Sequence, residues 1–221
     1  MAAQVWFIGP RESILVCGGS GQGKSTFVEK LITDPKYWKE KFDKILYCYG
    51  IYSKTVESLS KNAPHIQLIS GLPRNLLANP LQVLNPQENS LIVLDDVSLE
   101  SQESKELTSF ISRGLSHTNS SLISIEHFLF SPLAQRRNQS FHYSQIILFK
   151  SSRNLNQLNT LAKQLGICTA KELIEAYKDS TQKPYSHLVL DLRSDTPDDL
   201  RILSNVLCEN EEPTYAYSCT I

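Results

Sequence analysis

Apolar residues along this chain fall into short unbroken runs rather than a strict alternation with polar ones. The runs occupy residues 14–17, 45–49, 66–69, 91–94, 122–125, 146–149 and 188–190, and they are rich in β-branched and aromatic side chains. Continuous apolar character over such short stretches predicts strands covered on both faces, as in a parallel sheet. Segments between them read as helices. Leu155, Leu158, Leu161, Ala162 and Leu165 form a stripe at helical spacing, with Gly166 where a terminating glycine belongs. Thr169 and Glu172 have the spacing of a capping box that opens the next helix. Thr196-Pro197 followed by Asp198 and Asp199 predicts a last helix, with a capping hydroxyl, a proline in the first turn and two acids at the positive end. Asn79-Pro80 and Asn85-Pro86 mark a turn-rich loop ahead of residue 91.

Strands alternating with helices imply an α/β layered architecture with right-handed crossovers. Nothing Gly/Ser-rich or Pro-rich divides the chain. The expectation is one domain over residues 1–221, with 1–12 as a lead-in and 207–221 as a C-terminal tail.

Composition narrows the class. The 221 residues are 41% hydrophobic and 20% charged, ordinary values for a globular protein, which argues against a disordered chain. No repeat period suggests a solenoid. The longest apolar runs are far shorter than the roughly 20 residues that a membrane-spanning helix needs. The N-terminus lacks a basic stretch followed by a long apolar one, which argues against a secretory leader. Five cysteines (Cys17, Cys48, Cys168, Cys208 and Cys219) never form a Cys-x-x-Cys pair, so neither a zinc site nor a disulfide framework follows, and a reducing intracellular compartment fits.

Charge is nearly balanced, 22 Lys+Arg against 23 Asp+Glu, yet it is unevenly distributed. Residues 113–163 hold Arg113, Arg136, Arg137, Lys150, Arg153 and Lys163 against the single acid Glu126, while residues 164–221 are strongly acidic. The basic middle third could serve a polyanion, nucleotide or nucleic acid, or be a solvated surface balanced by the acidic tail.

The most specific signal is Gly18-Gly19-Ser20-Gly21-Gln22-Gly23-Lys24-Ser25, a full G-x-x-x-x-G-K-S/T phosphate-binding loop between an apolar strand and a helix starting at Lys24. Its glycines let successive backbone N–H groups turn inward around phosphate oxygens, and the helix N-terminus adds partial positive charge. Thr26 extends the nucleotide-binding set. Lys24 is expected at the β- and γ-phosphates and the Ser25 hydroxyl at a Mg²⁺ ion bound with ATP.

A second element is the apolar run 91–94 ending in Asp95-Asp96. Asp95 would hold the Mg²⁺ shell, and Asp96 would orient and deprotonate the attacking water. Adjacent strand residues point to opposite faces, so both acids can serve one site only where the strand ends. The other reading of the pair is a surface loop, or a cap for a helix near residues 99–111. The picture is of backbone amides at the exit of the first strand, faced by two carboxylates from a parallel neighbour. A small-molecule kinase would need an arginine-rich lid, for which Arg136 and Arg137 are the candidates. No Asn/Thr-Lys-x-Asp guanine-selecting motif is present.

Taken in order, these pieces resemble the FtsK/HerA-type DNA-packaging ATPases of double-stranded DNA viruses, including poxvirus-like relatives and Maverick/Polinton elements. The resemblance covers roughly residues 10–205 and runs through the loop at 18–25, residues 45–50, Gly71-Leu72-Pro73, residues 91–96, Ser112-Arg113-Gly114 with His117, residues 128–130, residues 147–150, and residues 190–192 before 195–199. It implies a P-loop NTPase three-layer α/β/α fold with a mostly parallel sheet, of the ASCE (RecA/FtsK-like) type. It also implies a Mg²⁺-dependent ATPase acting as a homo-oligomeric ring that moves duplex DNA into a capsid. A capsid or portal-like component would be a partner, and the location would be a host nucleus, a cytoplasmic virus factory or the virion.

By the same resemblance Arg113 would reach the γ-phosphate of a neighbouring subunit, with Arg137 and Arg153 in reserve; its plainer role is a basic residue at a helix C-terminus. The chain departs from the family after residue 125. Where a polar run with a γ-phosphate-sensing Gln is usual, it has Glu126-His127-Phe128, so His127 takes the sensor position or serves structurally, or the sensor is degraded. An imidazole there can donate to phosphate or water. The alternatives to the motor are then a P-loop kinase acting on a small molecule and a nucleotide-gated, non-enzymatic assembly subunit. Lys54, Lys61, Arg74 and the basic middle stretch are the candidate DNA contacts, though none forms a DNA-binding motif.

Overall fold

The computed structural model describes residues 6–73, 75–97, 101–130, 142–151, 155–207 and 213–219. Among these residues a nine-stranded sheet runs in the order β3-β2-β4-β5-β1-β6-β7-β8-β9. Its strands are β1 (Ser13–Cys17), β2 (Lys44–Tyr49), β3 (Ile66–Ser70), β4 (Ser90–Asp95), β5 (Ser120–Glu126), β6 (Gln145–Phe149), β7 (His187–Asp191), β8 (Ile202–Ser204) and β9 (Tyr215–Ala216). Each of the seven apolar runs lies within one of the first seven. Six strands, from β3 to β6 in spatial order, pair in parallel. From β6 onward β7, β8 and β9 pair antiparallel. The strand that carries the two acids is not a direct neighbour of β1: β5 lies between them, in register with both.

Side chains alternate across the sheet and build two cores. On one face Ile14, Val16, Tyr47, Val93, Ile123, Ile147 and Val189 pack under α1 (Lys24–Thr33) and α2 (Lys54–Asn62). On the other, Leu15, Leu46, Ile92, Leu122, Leu148 and Leu190 pack under α3 (Ser101–Ser109), α5 (Leu155–Leu165) and α6 (Ala170–Ser180). Covering both faces of the parallel strands is what makes their sequences read as unbroken apolar runs. Trp6 and Ile8 are fully buried in the α1-side core, and Ile8 forms an isolated bridge to Trp38.

Helix ends follow the local chemistry. Ser53 caps α2 by accepting from Val56 N–H. Thr169 and Glu172 form the reciprocal capping box of α6. α5 stops before Gly166, whose N–H donates to Ala162 O at 3.1 Å. α3 continues through a π-helical stretch, Phe110–Gly114, into the short α4 (Leu115–His117).

The expected helix after Thr196 does not form. The chain makes only a 3₁₀ turn, Asp198–Leu200, before β8 begins at Ile202. The Thr196 hydroxyl donates to the Asp191 carboxylate (2.9 Å) instead of capping a helix. A single residue, Arg201, separates that turn from a strand already paired to β7, which leaves no length for a helix.

At the edge of the sheet where the parallel strands begin, Glu12, Asp191 and Arg193 form a largely buried network. Arg193 pairs with Glu12 at 2.9 Å and with Asp191, while Gln145 donates to Glu12 (2.7 Å) and accepts from the Trp6 indole (2.6 Å). This network ties the lead-in to β1, β6 and β7. Among the described residues no helix is long and apolar enough to cross a membrane.

Candidate functional site

The parallel strands end at one edge of the sheet, so whatever follows β1, β4 and β5 converges there. After Cys17, Gly18 N–H donates to Glu126 O (3.3 Å) and Gly19 N–H to Lys150 O (3.2 Å), which fixes the loop to the tips of β5 and β6. A Cβ on Gly18 would lie 2.6 Å from Phe149 Cβ, so the loop sits directly on the core aromatic that ends β6. Phe149 in turn meets Phe27 of α1 edge-on, ring centroids 5.6 Å apart. Gly23, at φ 90°, turns the loop into α1, a conformation an L side chain rarely takes. The first-turn N–H groups of α1 therefore open toward the site.

Lys24 is buried at the head of α1. Its ammonium donates to Gly18 O and Gly19 O, 2.9 Å each, and stands 3.5 Å from His127 Nδ1. Burial lowers its pKa, and the nearby Cys17, Asp95, Asp96 and Glu126 oppose that shift.

Asp95 is the last residue of β4 and is buried on the α1 face, as the alternation from Leu91 and Val93 requires. Its carboxylate accepts from Ser25 Oγ at 3.3 Å and from the Tyr47 hydroxyl of β2 at 2.5 Å. Burial raises the Asp95 pKa, while the hydrogen bonds from Tyr47 and Ser25 pull it back. Burial beside that carboxylate drives the Tyr47 phenol strongly up, so Tyr47 stays a donor. A hydroxyl and a carboxylate oxygen side by side are the hard donors that Mg²⁺ takes, since it uses one or two protein oxygens and completes its shell with phosphate and water. The residues present therefore fit the ion, which Ser25 and Asp95 would hold. The Asp95 carboxylate faces α1, so it does not cap the helix that follows.

Asp96 solves the problem of two adjacent acids. Its backbone turns left-handed (φ 51°), ending the strand and freeing the side chain from the alternation. Gly50, at the tip of β2, makes room: a Cβ there would sit 2.0 Å from Asp96 O, and Gly50 N–H donates to Asp95 O at 2.9 Å. Asp96 is half-exposed, with its Oδ1 3.7 Å from His127 Nε2.

The His127 ring thus lies between Lys24 and Asp96. A protonated lysine can only donate, so a neutral imidazole here would accept at Nδ1 and turn Nε2–H toward the carboxylate. Lys24, Ser25, Asp95, Asp96 and His127 all line one cavity of about 1200 Å³, together with Ser20–Gly23 and Thr26.

Arg113 is not brought there. It lies exposed on the π-helical stretch and donates to Ser109 Oγ at 3.0 Å. Lys54 and Lys61 are exposed on α2, and Lys61 pairs with Glu57 at 2.6 Å. Arg74, Arg136, Arg137 and Arg153 lie outside the described residues. Three site residues escaped sequence reasoning: Tyr47, Gly50 and Tyr185, the last of which packs over Gly23 at the cavity mouth. The available signal for Tyr47 was a tyrosine inside an otherwise apolar strand, which needs a partner for its hydroxyl.

No protein-family model matches the chain, and no curated protein matches it. Among solved structures it is similar to the genome packaging NTPase B204 from Sulfolobus turreted icosahedral virus 2, in complex with ATPγS. The identity is 12%, the match covers 96% of this chain and 98% of that one, and the TM-score is 0.52. Weaker likenesses are the cytoplasmic domain of the Thermomonospora curvata type VII secretion ATPase EccC (14% identity, 73% of this chain, 22% of that chain, TM-score 0.48) and the KaiC-like protein PH0186 from Pyrococcus horikoshii OT3 (13%, 88% and 85%, 0.46). At such identities the likeness is one of fold: the chain has the P-loop NTPase three-layer α/β/α fold with a mostly parallel sheet.

Proposed function

We propose that the protein is a Mg²⁺-dependent ATPase motor that forms a homo-oligomeric ring and drives double-stranded DNA into a viral capsid. One observation carries the hydrolytic part: the Ser25–Asp95 pair and the Asp96–His127–Lys24 chain converge on the phosphate-binding loop from three separate strand tips. Bound there, Mg²⁺ would neutralise charge on the phosphate oxygens. The loop amides and Lys24 hold the triphosphate, and Asp96 takes the proton of the attacking water. His127 faces Asp96 across 3.7 Å with one ring nitrogen and Lys24 across 3.5 Å with the other, which places it between the base and the phosphate-binding lysine. The packaging role is supported by the order of motifs and by a fold shared, end to end, with a viral genome packaging NTPase. Arg113 is exposed and clear of its own cavity, a position that suits action on a neighbouring subunit.

The test is ATP turnover with and without duplex DNA at two salt concentrations, with particle mass measured beside a nonhydrolysable nucleotide. Turnover stimulated by DNA, with the stimulation falling as salt rises, is the expected result. Lys24→Ala should lose nucleotide binding, whereas Asp96→Asn should bind ATP yet turn over roughly 10²–10⁴ times more slowly. An Asp96→Asn enzyme working at the wild-type rate would falsify the assignment of the base. A particle that stays monomeric with nucleotide and DNA present would remove the ring.

A further inference from the structure

The cavity is larger than a triphosphate requires. Drug-sized and cofactor-sized ligands fill roughly 300–1,000 Å³, and this one measures about 1200 Å³. Beyond the loop it continues between the outward side of α1, at Thr26 and Lys30, and the antiparallel end of the sheet, at Tyr185, Ser204 and Tyr215. That wall is aromatic and open. Tyr185 is 68% exposed and Tyr215 50% exposed.

Tyr185 is held in an unfavourable conformation. Its φ is 65°, the left-handed region, which is costly for a bulky L residue and persists only where the surroundings impose it. The surroundings do so here. Ser186 closes the turn with its hydroxyl and its N–H on Lys183 O, at 2.6 and 3.3 Å, and β7 begins at His187. The ring lies against the phosphate-binding loop, so a Cβ added to Gly23 would be 3.0 Å from Tyr185 Cδ1. An exposed ring gains little by burial, so the strain is not explained by packing.

Several polar groups on the same wall are engaged with other protein groups. Asp179 accepts from the Tyr217 hydroxyl (2.8 Å) and from Gln182 (3.2 Å), and Asn205 donates to Pro213 O (3.1 Å). The wall therefore offers π-faces more than a set of edge-reading donors and acceptors.

We propose that Tyr185 is the platform for the heterocyclic base of the nucleotide, which stacks on its ring while the phosphates sit at residues 18–25, with Tyr215 walling the far side. This rests on the phosphate-site reading above. Stacking selects flat area, so purine nucleotides are held in preference to pyrimidine ones.

The experiment is calorimetric titration with Mg-ATP, Mg-CTP and Mg-tripolyphosphate, the last of which carries no base. Wild type should bind ATP more tightly than CTP. Tyr185→Ala should weaken ATP roughly tenfold and leave tripolyphosphate unchanged, while Tyr185→Phe keeps the wild-type affinity for both. Tyr185→Gly, free of the left-handed strain, should melt higher than wild type and still show the loss for ATP. If Tyr185→Ala shifts ATP and tripolyphosphate alike, or neither, the platform is wrong while the phosphate site stands. If wild type binds neither ligand, the phosphate-site reading itself fails and the platform with it.

Discussion

The six parallel strands and the three antiparallel ones meet at β6–β7, and they put different things at the cavity beside residues 20–26. Parallel strands deliver every C-terminal end to one edge, so β1, β4 and β5 bring Gly18, Asp95 and Glu126 together by topology alone. Their side chains are buried on both faces, and the site they build is half-buried and hydrogen-bonded. The antiparallel end delivers a turn before β7 and the exposed strand β9, whose contributions are Tyr185 and Tyr215. On the proposed reading one half handles phosphate, while the other presents flat rings. The contrast suggests a division in which chemistry is held rigidly by the sheet, while base recognition hangs on short, solvent-facing segments.

The sharpest way to break that division is to displace the catalytic edge without touching the aromatic wall. In Gly50→Ala the new methyl group would stand 2.0 Å from Asp96 O, which must move. Overpacking of this kind typically costs about 1–3 kcal/mol, and misplacing a base by an ångström can cost roughly 10²-fold in rate. Turnover should therefore fall by that order, while affinity for ATP stays within a few-fold and still depends on Tyr185. Turnover that holds while affinity collapses would reverse the assignment of the two halves.

A smaller effect is expected at His127. A neutral ring would accept from Lys24 and donate toward Asp96, and a glutamine amide can do both. His127→Ala should lower turnover roughly 10-fold or more with ATP affinity nearly unchanged, and His127→Gln should restore most of it. A glutamine variant as slow as the alanine one would show that the imidazole itself takes part.

These two halves were unequally legible in the sequence. Strands β1 to β7 were readable because burial on two faces leaves an unbroken apolar run, and residues 18–25 because a phosphate-binding loop is a local device with fixed spacing. β8 is only three residues long, and both residues of β9 are exposed, so neither leaves a hydrophobic pattern. The capping signal at Thr196 was real as chemistry but was spent on Asp191, since β8 begins too soon for a helix. Tyr47, Gly50 and Tyr185 depend on contacts between residues far apart in the chain, Tyr47 with Asp95 and Tyr185 with Gly23 among them. No window of sequence contains such a pair. His127 was found only because it follows β5; its place between Lys24 and Asp96 needed coordinates.

At the opposite edge of the sheet the two halves are stitched by Glu12, Gln145, Asp191 and Arg193, and this seam has its own pH signature. Burial raises the Glu12 pKa above its ordinary value, with Arg193 opposing the shift. The folded chain therefore binds this proton more readily than the unfolded chain does. The resulting contribution to stability is present in full below the unfolded value and is lost as pH rises through the folded one. Glu12→Gln keeps an acceptor for Arg193 and removes the titration. Stability of the variant relative to wild type, measured by denaturant unfolding across mildly acid to neutral pH, should therefore rise with pH. A difference that falls with pH instead would mean that the 2.9 Å pair with Arg193 outweighs the cost of burying the charge. The seam would then hold the parallel and antiparallel parts together by ionic attraction, whereas the expected sign makes it a satisfied polar joint whose carboxylate is tolerated rather than stabilising.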